Sequence, residues 1–431
     1  MKIYVEGYGC SMNLAETEQI KGHAIDNGLT ITDNIKDTDF IIINTCAVKG
    51  RTENRMISKI KKFYETATKQ GKQLIVVGCL PKINPKAIEQ ISKDIIAIGP
   101  DLKKLSQILG IEEQEFSPNT NTIPFNPHIA IIPIAKGCTN YCTFCGTKLA
   151  RGDIQSYTIE SIETRTKKAL QTCKEIWLTG QDTGAYGLDI KSSLPKLIEK
   201  LLLINENYKI RIGMMNPHHL RRIYKELIPL FSDNRIYKFI HLPVQAGSDR
   251  ILTLMRRGYT STQYKELIEK LKKDIPEITI ATDIIAGFPT ETEKEFQETI
   301  NLIKETKPDI VNISKFAPRP NTIAATMKQL PSKIIAKRTK RLTTICNAIA
   351  YNNNKKYIGK KDKAYFSEKG KNNTIVGRTS NYKPVVIEKG ELGKFQEIEI
   401  TDAYPHWLKG KIIENQTENK QEIKEKIVIK C

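Results

Sequence analysis

The sequence predicts an α/β chain in three parts: an N-terminal doubly wound parallel sheet, a central partial (βα)6 barrel of the TIM type, and a small all-β module at the C-terminus. Three observations predict it. Short β-rich runs alternate with helical stretches across residues 1–111, and again from Ile129 to about Met327. That alternation is the pattern of parallel strands joined by crossover helices. After Asn352–Asn354 it gives way to short strands separated by turn residues, and the 431-residue length has room for about three domains.

In the first part (1–111) the strand candidates are Ile3–Glu6, Phe40–Asn44, Leu74–Val77 and Ile95–Ile98. Helix-like Leu14–Asn27 and Arg51–Thr68 lie between them. Glu112–His128 holds three prolines, three asparagines and few periodic apolar positions, and reads as an interdomain linker. The second part (129–350) has strand candidates at Ala130–Ala135, Glu175–Thr179, Lys209–Gly213, Lys238–Leu242, Thr279–Ala286 and Val311–Phe316. Six βα units suit an open barrel better than a closed eight-stranded one. It ends in a basic helix, Ser332–Tyr351, with Lys333, Lys337, Arg338, Lys340 and Arg341 beside apolar Ile335, Leu342, Ile345 and Ile349. The third part (355–414) has strand candidates at Lys363–Ser367, Thr374–Gly377, Pro384–Ile387, Phe395–Ile400 and Leu408–Ile413. The charged tail from Glu414 is expected to fray.

Composition narrows the function classes. With 39% apolar residues the chain can bury real cores, so a wholly disordered protein is excluded. Lys and Arg number 68 against 48 Asp and Glu, a net charge of +20. Such an excess favours a polyanionic partner such as nucleic acid, although a lysine-rich solvated surface produces the same count. No apolar stretch reaches the roughly 18 residues a membrane span needs, so no membrane partner is expected. The opening Met-Lys-Ile-Tyr-Val-Glu-Gly lacks the apolar core of a signal peptide. A cytoplasmic location, with reduced thiols, is therefore expected. The nine cysteines are then not a disulfide framework.

Three of them form the strongest motif, Cys138-Thr139-Asn140-Tyr141-Cys142-Thr143-Phe144-Cys145, directly after a predicted strand. Three thiolates on one loop can hold three irons of a [4Fe–4S] cluster and leave the fourth iron open to a ligand. Zinc would want a fourth protein ligand, and none lies nearby in the sequence. Later strand ends carry Thr179-Gly180-Gln181-Asp182, Met215-Asn216-Pro217, His241-Leu242-Pro243-Val244-Gln245 and Ala286-Gly287-Phe288-Pro289. Singly each is a turn; together they line the barrel face where chemistry occurs. Cys10, Cys46 and Cys79 each follow a strand of the first part. A parallel sheet gathers those strand ends along one edge. Gly7, Gly9 and Gly78 let the loops pass close to a bulky group. The pattern favours a second three-cysteine cluster; three buried free thiols are the bland alternative. Cys173, Cys346 and Cys431 lack such context and read as ordinary thiols.

The central loop, with an aromatic before its last cysteine, resembles the radical S-adenosylmethionine superfamily. The resemblance implies that the open iron chelates S-adenosylmethionine, whose reductive cleavage yields a 5′-deoxyadenosyl radical. It places Phe144 near the adenine, and Gly180, Gln181, Asp182, Asn216 and Gln245 around the cofactor. Nearly the whole chain resembles the MiaB-type methylthiotransferases. The resemblance rests on Tyr8-Gly9-Cys10-Ser11-Met12-Asn13, Asn44-Thr45-Cys46, Gly78-Cys79, Ala150-Arg151-Gly152 and His241–Asp249. It implies two [4Fe–4S] clusters, an auxiliary one on Cys10, Cys46 and Cys79 and a radical one on Cys138, Cys142 and Cys145. It also implies a tRNA substrate, an electron-donor protein of the flavodoxin or ferredoxin type, and a sulfur donor. The terminal module looks like a TRAM domain, an RNA-binding element. Arg338 and Arg341 on the basic helix, and Arg378, Tyr382 and Lys383 in one loop, are the candidate RNA contacts.

Thr179–Gly187 and Arg211–Pro217 look like the archaeal and eukaryotic branch, which acts on C2 of threonylcarbamoyladenosine at tRNA position 37. The alternatives are isopentenyladenosine in tRNA, an aspartate of a ribosomal protein, or a non-catalytic redox-sensing iron–sulfur RNA-binding protein. The chain departs from the family pattern at Asn321 and Ile323, where glycine and proline are commoner.

Overall fold

A computed structural model describes residues 1–47 and 50–413. It has two compact units, Met1–Cys346 and the part from Asn347 onward. The two α/β parts share the first unit.

The N-terminal sheet has five parallel strands in the order Thr30–Ile31, Lys2–Gly7, Phe40–Thr45, Gln73–Gly78, Ile96–Ala97. Its central strands are apolar on both faces, as a sheet covered on both sides requires. Ile3, Val5, Ile42, Ile75 and Val77 bury on one side with Ile20 and Leu105, while Ile41, Ile43, Leu74 and Val76 bury on the other with Met56 and Ile60. The two-residue edge strand Thr30–Ile31 is too short to leave a pattern in the sequence.

Six parallel strands build the barrel, in the order Ile129–Pro133, Glu175–Thr179, Lys209–Ile212, Phe239–His241, Thr279–Ala286 and Ile310–Lys315. An Ile210–Ile236 bridge joins its two halves. Among the described residues no pairing joins the first strand to the last, so the barrel is open on that side, as the six-unit count predicts.

Residues 112–128 are not a free linker. They strap along the first helix, Ser11–Asp26. Gln19 Nε2 donates to the Ser117 carbonyl at 2.6 Å, the Ile123 amide to the Glu18 carbonyl at 3.0 Å, and the Phe125 amide to Glu18 Oε1 at 3.0 Å. Phe116 is buried with the N-terminal core.

The departures at Asn321 and Ile323 have a local explanation. Asn321 holds φ +63°, the region glycine enters most easily and asparagine next. Ile323 opens the short helix Ile323–Thr326, at the position proline favours.

The basic helix spans Ser332–Lys355, past the expected end at Tyr351. Asn354 does not break it, because its amide is used: Nδ2 donates to the Tyr404 carbonyl at 2.7 Å. In the second unit, Lys361–Lys369, Ile375–Arg378, Pro384–Ile387, Lys394–Ala403 and Leu408–Ile412 close a five-stranded barrel. The tail from Glu414, including Cys431, lies outside the described residues.

Candidate active site

Five of the six motif cysteines line one cavity of about 370 Å³: Cys10 and Cys79 from the N-terminal sheet, and Cys138, Cys142 and Cys145 from the barrel loop. Cys46 lies directly beside Cys10. A Cβ added at Gly9, whose φ is +120°, would come within 2.3 Å of Cys46 Cβ and 2.9 Å of its Sγ. Only glycine lets these two loops touch. Cys10 precedes the helix Ser11–Asp26, Cys46 follows Phe40–Thr45, and Cys79 follows Gln73–Gly78. All three thus stand at the strand-end edge.

Asn13 ties the three loops together. Its Nδ2 donates to the Thr45 carbonyl at 2.8 Å and the Tyr8 carbonyl at 3.2 Å, while Oδ1 lies 3.8 Å from Cys10 Sγ and 3.9 Å from Cys79 Sγ. The Thr45 carbonyl also accepts from the Cys79 amide at 2.9 Å. A hydrogen bond with Cys46, aided by the nearby Arg151 charge, lowers the Cys10 thiol to about 6. Burial pushes Cys79 up to about 11.

The barrel loop is closed at its base by the antiparallel pairing of Ala135–Lys136 with Gln155–Ser156. The Cys138 amide donates to the Gly152 carbonyl at 3.2 Å, and Arg257 Nη1 to Cys142 Sγ at 3.2 Å. Burial raises the Cys138 thiol to about 11 and raises Cys145 as well. Among the described residues, no three His, Cys, Asp or Glu side chains converge on a single ion. A multi-iron cluster spaces its thiolates more widely than one ion does, and two all-thiol sets are its donor chemistry. The buried Gln181 Oε1 faces the same cavity without a hydrogen-bond partner, an acceptor left for a ligand's N–H.

The radical SAM superfamily matches residues 132–303, the uncharacterized protein family UPF0004 residues 2–99, and the TRAM domain residues 355–413. The probable threonylcarbamoyladenosine tRNA methylthiotransferase of Pyrococcus horikoshii is 38% identical, over 96% of this chain and all of its own length (100%). The Homo sapiens threonylcarbamoyladenosine tRNA methylthiotransferase is 35% identical, over 95% of this chain and 73% of its own. The chain belongs to the threonylcarbamoyladenosine tRNA methylthiotransferase family. This makes it a radical SAM enzyme whose cofactors are S-adenosylmethionine and [4Fe–4S] clusters, and the non-catalytic alternative falls away. Among solved structures, the radical S-adenosylmethionine methyltransferase TsrM from Kitasatospora setae, with cobalamin and a [4Fe–4S] cluster bound, is similar in fold. Its TM-score is 0.55 at 11% identity, covering 75% of this chain and 76% of that one.

Within this methylthiotransferase, Phe144, Gly180, Gln181, Asp182, Asn216 and Gln245 all reach the cavity. Asp182, however, has no acceptor capacity left for a cofactor. It accepts from Asn140 Nδ2 (2.9 Å), His219 Nδ1 (2.7 Å), and the Gly184 and Asn216 amides (3.2 and 3.0 Å). Its place is to hold Asn140 and His219, not to meet the ribose. Asn216 uses Oδ1 to cap the helix Pro217–Leu227, accepting from the His218 amide.

The expected RNA contacts need more correction. Arg338 is buried, bonded to Glu291 Oε2 at 2.7 Å and to the Glu291 carbonyl at 3.0 Å. It shares a helical face with Ile335 and Leu342, a spacing that turns it inward. Arg341 is bonded to Glu293 and, at 3.1 Å, to Gln297. The exposed basic residues of this helix are Lys333, Lys337, Lys340 and, at its end, Lys355. Lys383 is buried, its Nζ donating to Asn354 Oδ1 at 2.9 Å. Tyr382 is buried too, and Arg378 is bonded to Glu368 at 2.6 Å.

Sequence reasoning assigned no role to Asn13, Glu16, Arg151, Arg257 or His219. Asn13 and Arg151 stand inside motifs it quoted, but nothing in a linear sequence says that they meet. Cys173 and Cys346 are buried and remote from the cavity lining, as ordinary thiols would be.

Proposed function

We propose that this enzyme transfers a methylthio group to C2 of N6-threonylcarbamoyladenosine at position 37 of tRNA, beside the anticodon. The convergence of five cysteines from the two sets on one cavity, with Cys46 packed against the Cys10 loop, carries the reading. The relatives' names support the substrate. The C2–H of an adenine is neither acidic nor electrophilic, so no side-chain base can replace it. The bound cofactors supply a radical to break that bond and a sulfur to take its place.

The chain's own residues hold and orient. Cys138, Cys142 and Cys145 are assigned to the radical cluster, and Cys10, Cys46 and Cys79 to the auxiliary one. Gln181 Oε1 would accept from an amino group of S-adenosylmethionine, Gly180 would admit the cofactor closely, and Phe144, Gln245 and the Asn216 amide nitrogen would complete its pocket. Arg257 steadies Cys142. A flavodoxin- or ferredoxin-type reductant and a separate sulfur donor complete the reaction, in the cytoplasm with its tRNA.

Nucleoside mass spectrometry of tRNA incubated with reconstituted enzyme, S-adenosylmethionine and reductant should show threonylcarbamoyladenosine gaining a methylthio group. Modification of isopentenyladenosine or of a ribosomal protein instead would overturn the assignment.

For tRNA docking, two exposed features replace arginines that are each paired with a carboxylate. Reversing Lys333, Lys337 and Lys340 to glutamate should weaken tRNA binding and flatten its salt dependence. On the second unit, Tyr404 and Trp407 stack at 4.0 Å and 11° in the turn after Lys394–Ala403. That unit carries thirteen Lys and Arg against seven Asp and Glu between 347 and 413. A stacked aromatic pair beside cations suits an unpaired base. In a Trp177→Phe background, Trp407 is the remaining tryptophan. Its fluorescence should then be quenched by an anticodon stem–loop, and Tyr404→Ala should weaken the titration. An unchanged signal at saturating RNA would exclude this contact.

A further inference from the structure

The two cysteine sets are bolted together by one side chain. Arg151 ends the short helix Gly146–Arg151 that begins directly after Cys145, so its position is tied to the barrel loop. Its guanidinium crosses to the N-terminal sheet, where Nη1 and Nη2 donate to the two carboxylate oxygens of Glu16 at 2.6 and 2.9 Å. Nη2 donates as well to Asn13 Oδ1 at 2.8 Å. Both charged side chains are 2% exposed. A fork bound on three acceptors is a geometric clamp, which an ammonium on a flexible stem does not reproduce.

The Asn13 bond matters most. By occupying Oδ1, Arg151 fixes which way the amide faces, so Nδ2 must point at the Tyr8 and Thr45 carbonyls that carry the Cys10 and Cys46 loops. The same guanidinium lines the cavity together with Cys10 and Cys79, which sets a buried positive charge beside them. We infer that Arg151 is a positioning residue that sets the auxiliary cysteines at a fixed distance and orientation from the radical loop and biases their centre electrostatically. The inference rests on the methylthio transfer proposed above, with Cys10, Cys46 and Cys79 as the sulfur-handling set.

Two variants separate geometry from charge. In Arg151→Lys the charge stays and the fork is lost; in Arg151→Gln both go. Both should reconstitute two clusters and still release 5′-deoxyadenosine. EPR-monitored redox titration should give an auxiliary midpoint near wild type in Arg151→Lys and a more negative one in Arg151→Gln, because a nearby cation favours the reduced, more negative centre. The radical cluster's midpoint should hold in both. The ratio of 5′-deoxyadenosine released to methylthiolated nucleoside formed should rise several-fold in both, as the radical is made but meets sulfur out of place. Overturning results are a wild-type ratio in Arg151→Lys, or an unmoved auxiliary midpoint in Arg151→Gln. A loss of thermal stability with both readouts intact would reduce Arg151 to a structural ion pair. If Arg151→Gln does not fold, the ratio in Arg151→Lys still decides. Absence of methylthiolated nucleoside with the wild-type enzyme would defeat the proposed function instead, while the two midpoints would still test the electrostatic part.

Discussion

Cys79→Ala is expected to abolish methylthiolation while 5′-deoxyadenosine formation continues. Cys79 stands at the end of Gln73–Gly78, on the N-terminal side of the cavity, and takes no part in the barrel loop. Its loss should remove the auxiliary cluster alone. Iron and sulfide content should fall to about half, because each cluster draws on its own three thiolates. Cys142→Ala should behave differently. It removes a ligand of the other set, along with the sulfur that Arg257 bonds, and both 5′-deoxyadenosine and product should vanish. Iron analysis, EPR and nucleoside mass spectrometry read all of these. If Cys79→Ala kept full iron and product, Cys79 would be an ordinary buried thiol and the two-cluster reading would fail.

Gly137→Ala is expected to be the most damaging single methyl in the barrel. Gly137 has φ +69°, and a Cβ there would lie 1.9 Å from the Asp153 carbonyl oxygen. Two backbone segments would have to separate, those that carry the ends of the cysteine loop. The left-handed conformation alone costs an alanine about 1 kcal/mol. With the overlap added, the loss should exceed ~3 kcal/mol, in the range reserved for strained or overpacked sites. The variant should lose the radical cluster's EPR signal and melt at lower temperature. A wild-type melting temperature would show that the loop relaxes freely.

Much of the scaffold was readable in the amino-acid order because parallel strands buried on both faces leave uninterrupted apolar runs. Glu175–Thr179 and Thr279–Ala286 match their expected limits. The cysteines were readable because each follows such a run. What stayed hidden depends on where segments meet. Periodicity counted Arg338 as a surface charge, although its spacing from Ile335 and Leu342 already placed it inward; the partner that stabilises it, Glu291, is 47 residues away. Asp182 looked like a free carboxylate until its four donors, from Asn140, Gly184, Asn216 and His219, were assembled around it. Arg151 and Glu16 are 135 positions apart, and no local pattern pairs them.

The strap along residues 112–128 bears on how so large a substrate is served. A segment pinned to the first helix, with Arg319 and Glu53 forming a further buried ion pair from barrel to N-terminal helix, leaves no slack for the two α/β parts to swing apart. The enzyme therefore waits with its jaws set. The conformational work falls to the tRNA, whose adenosine must leave its stacked neighbours and turn outward before its C2 edge can reach the sulfur.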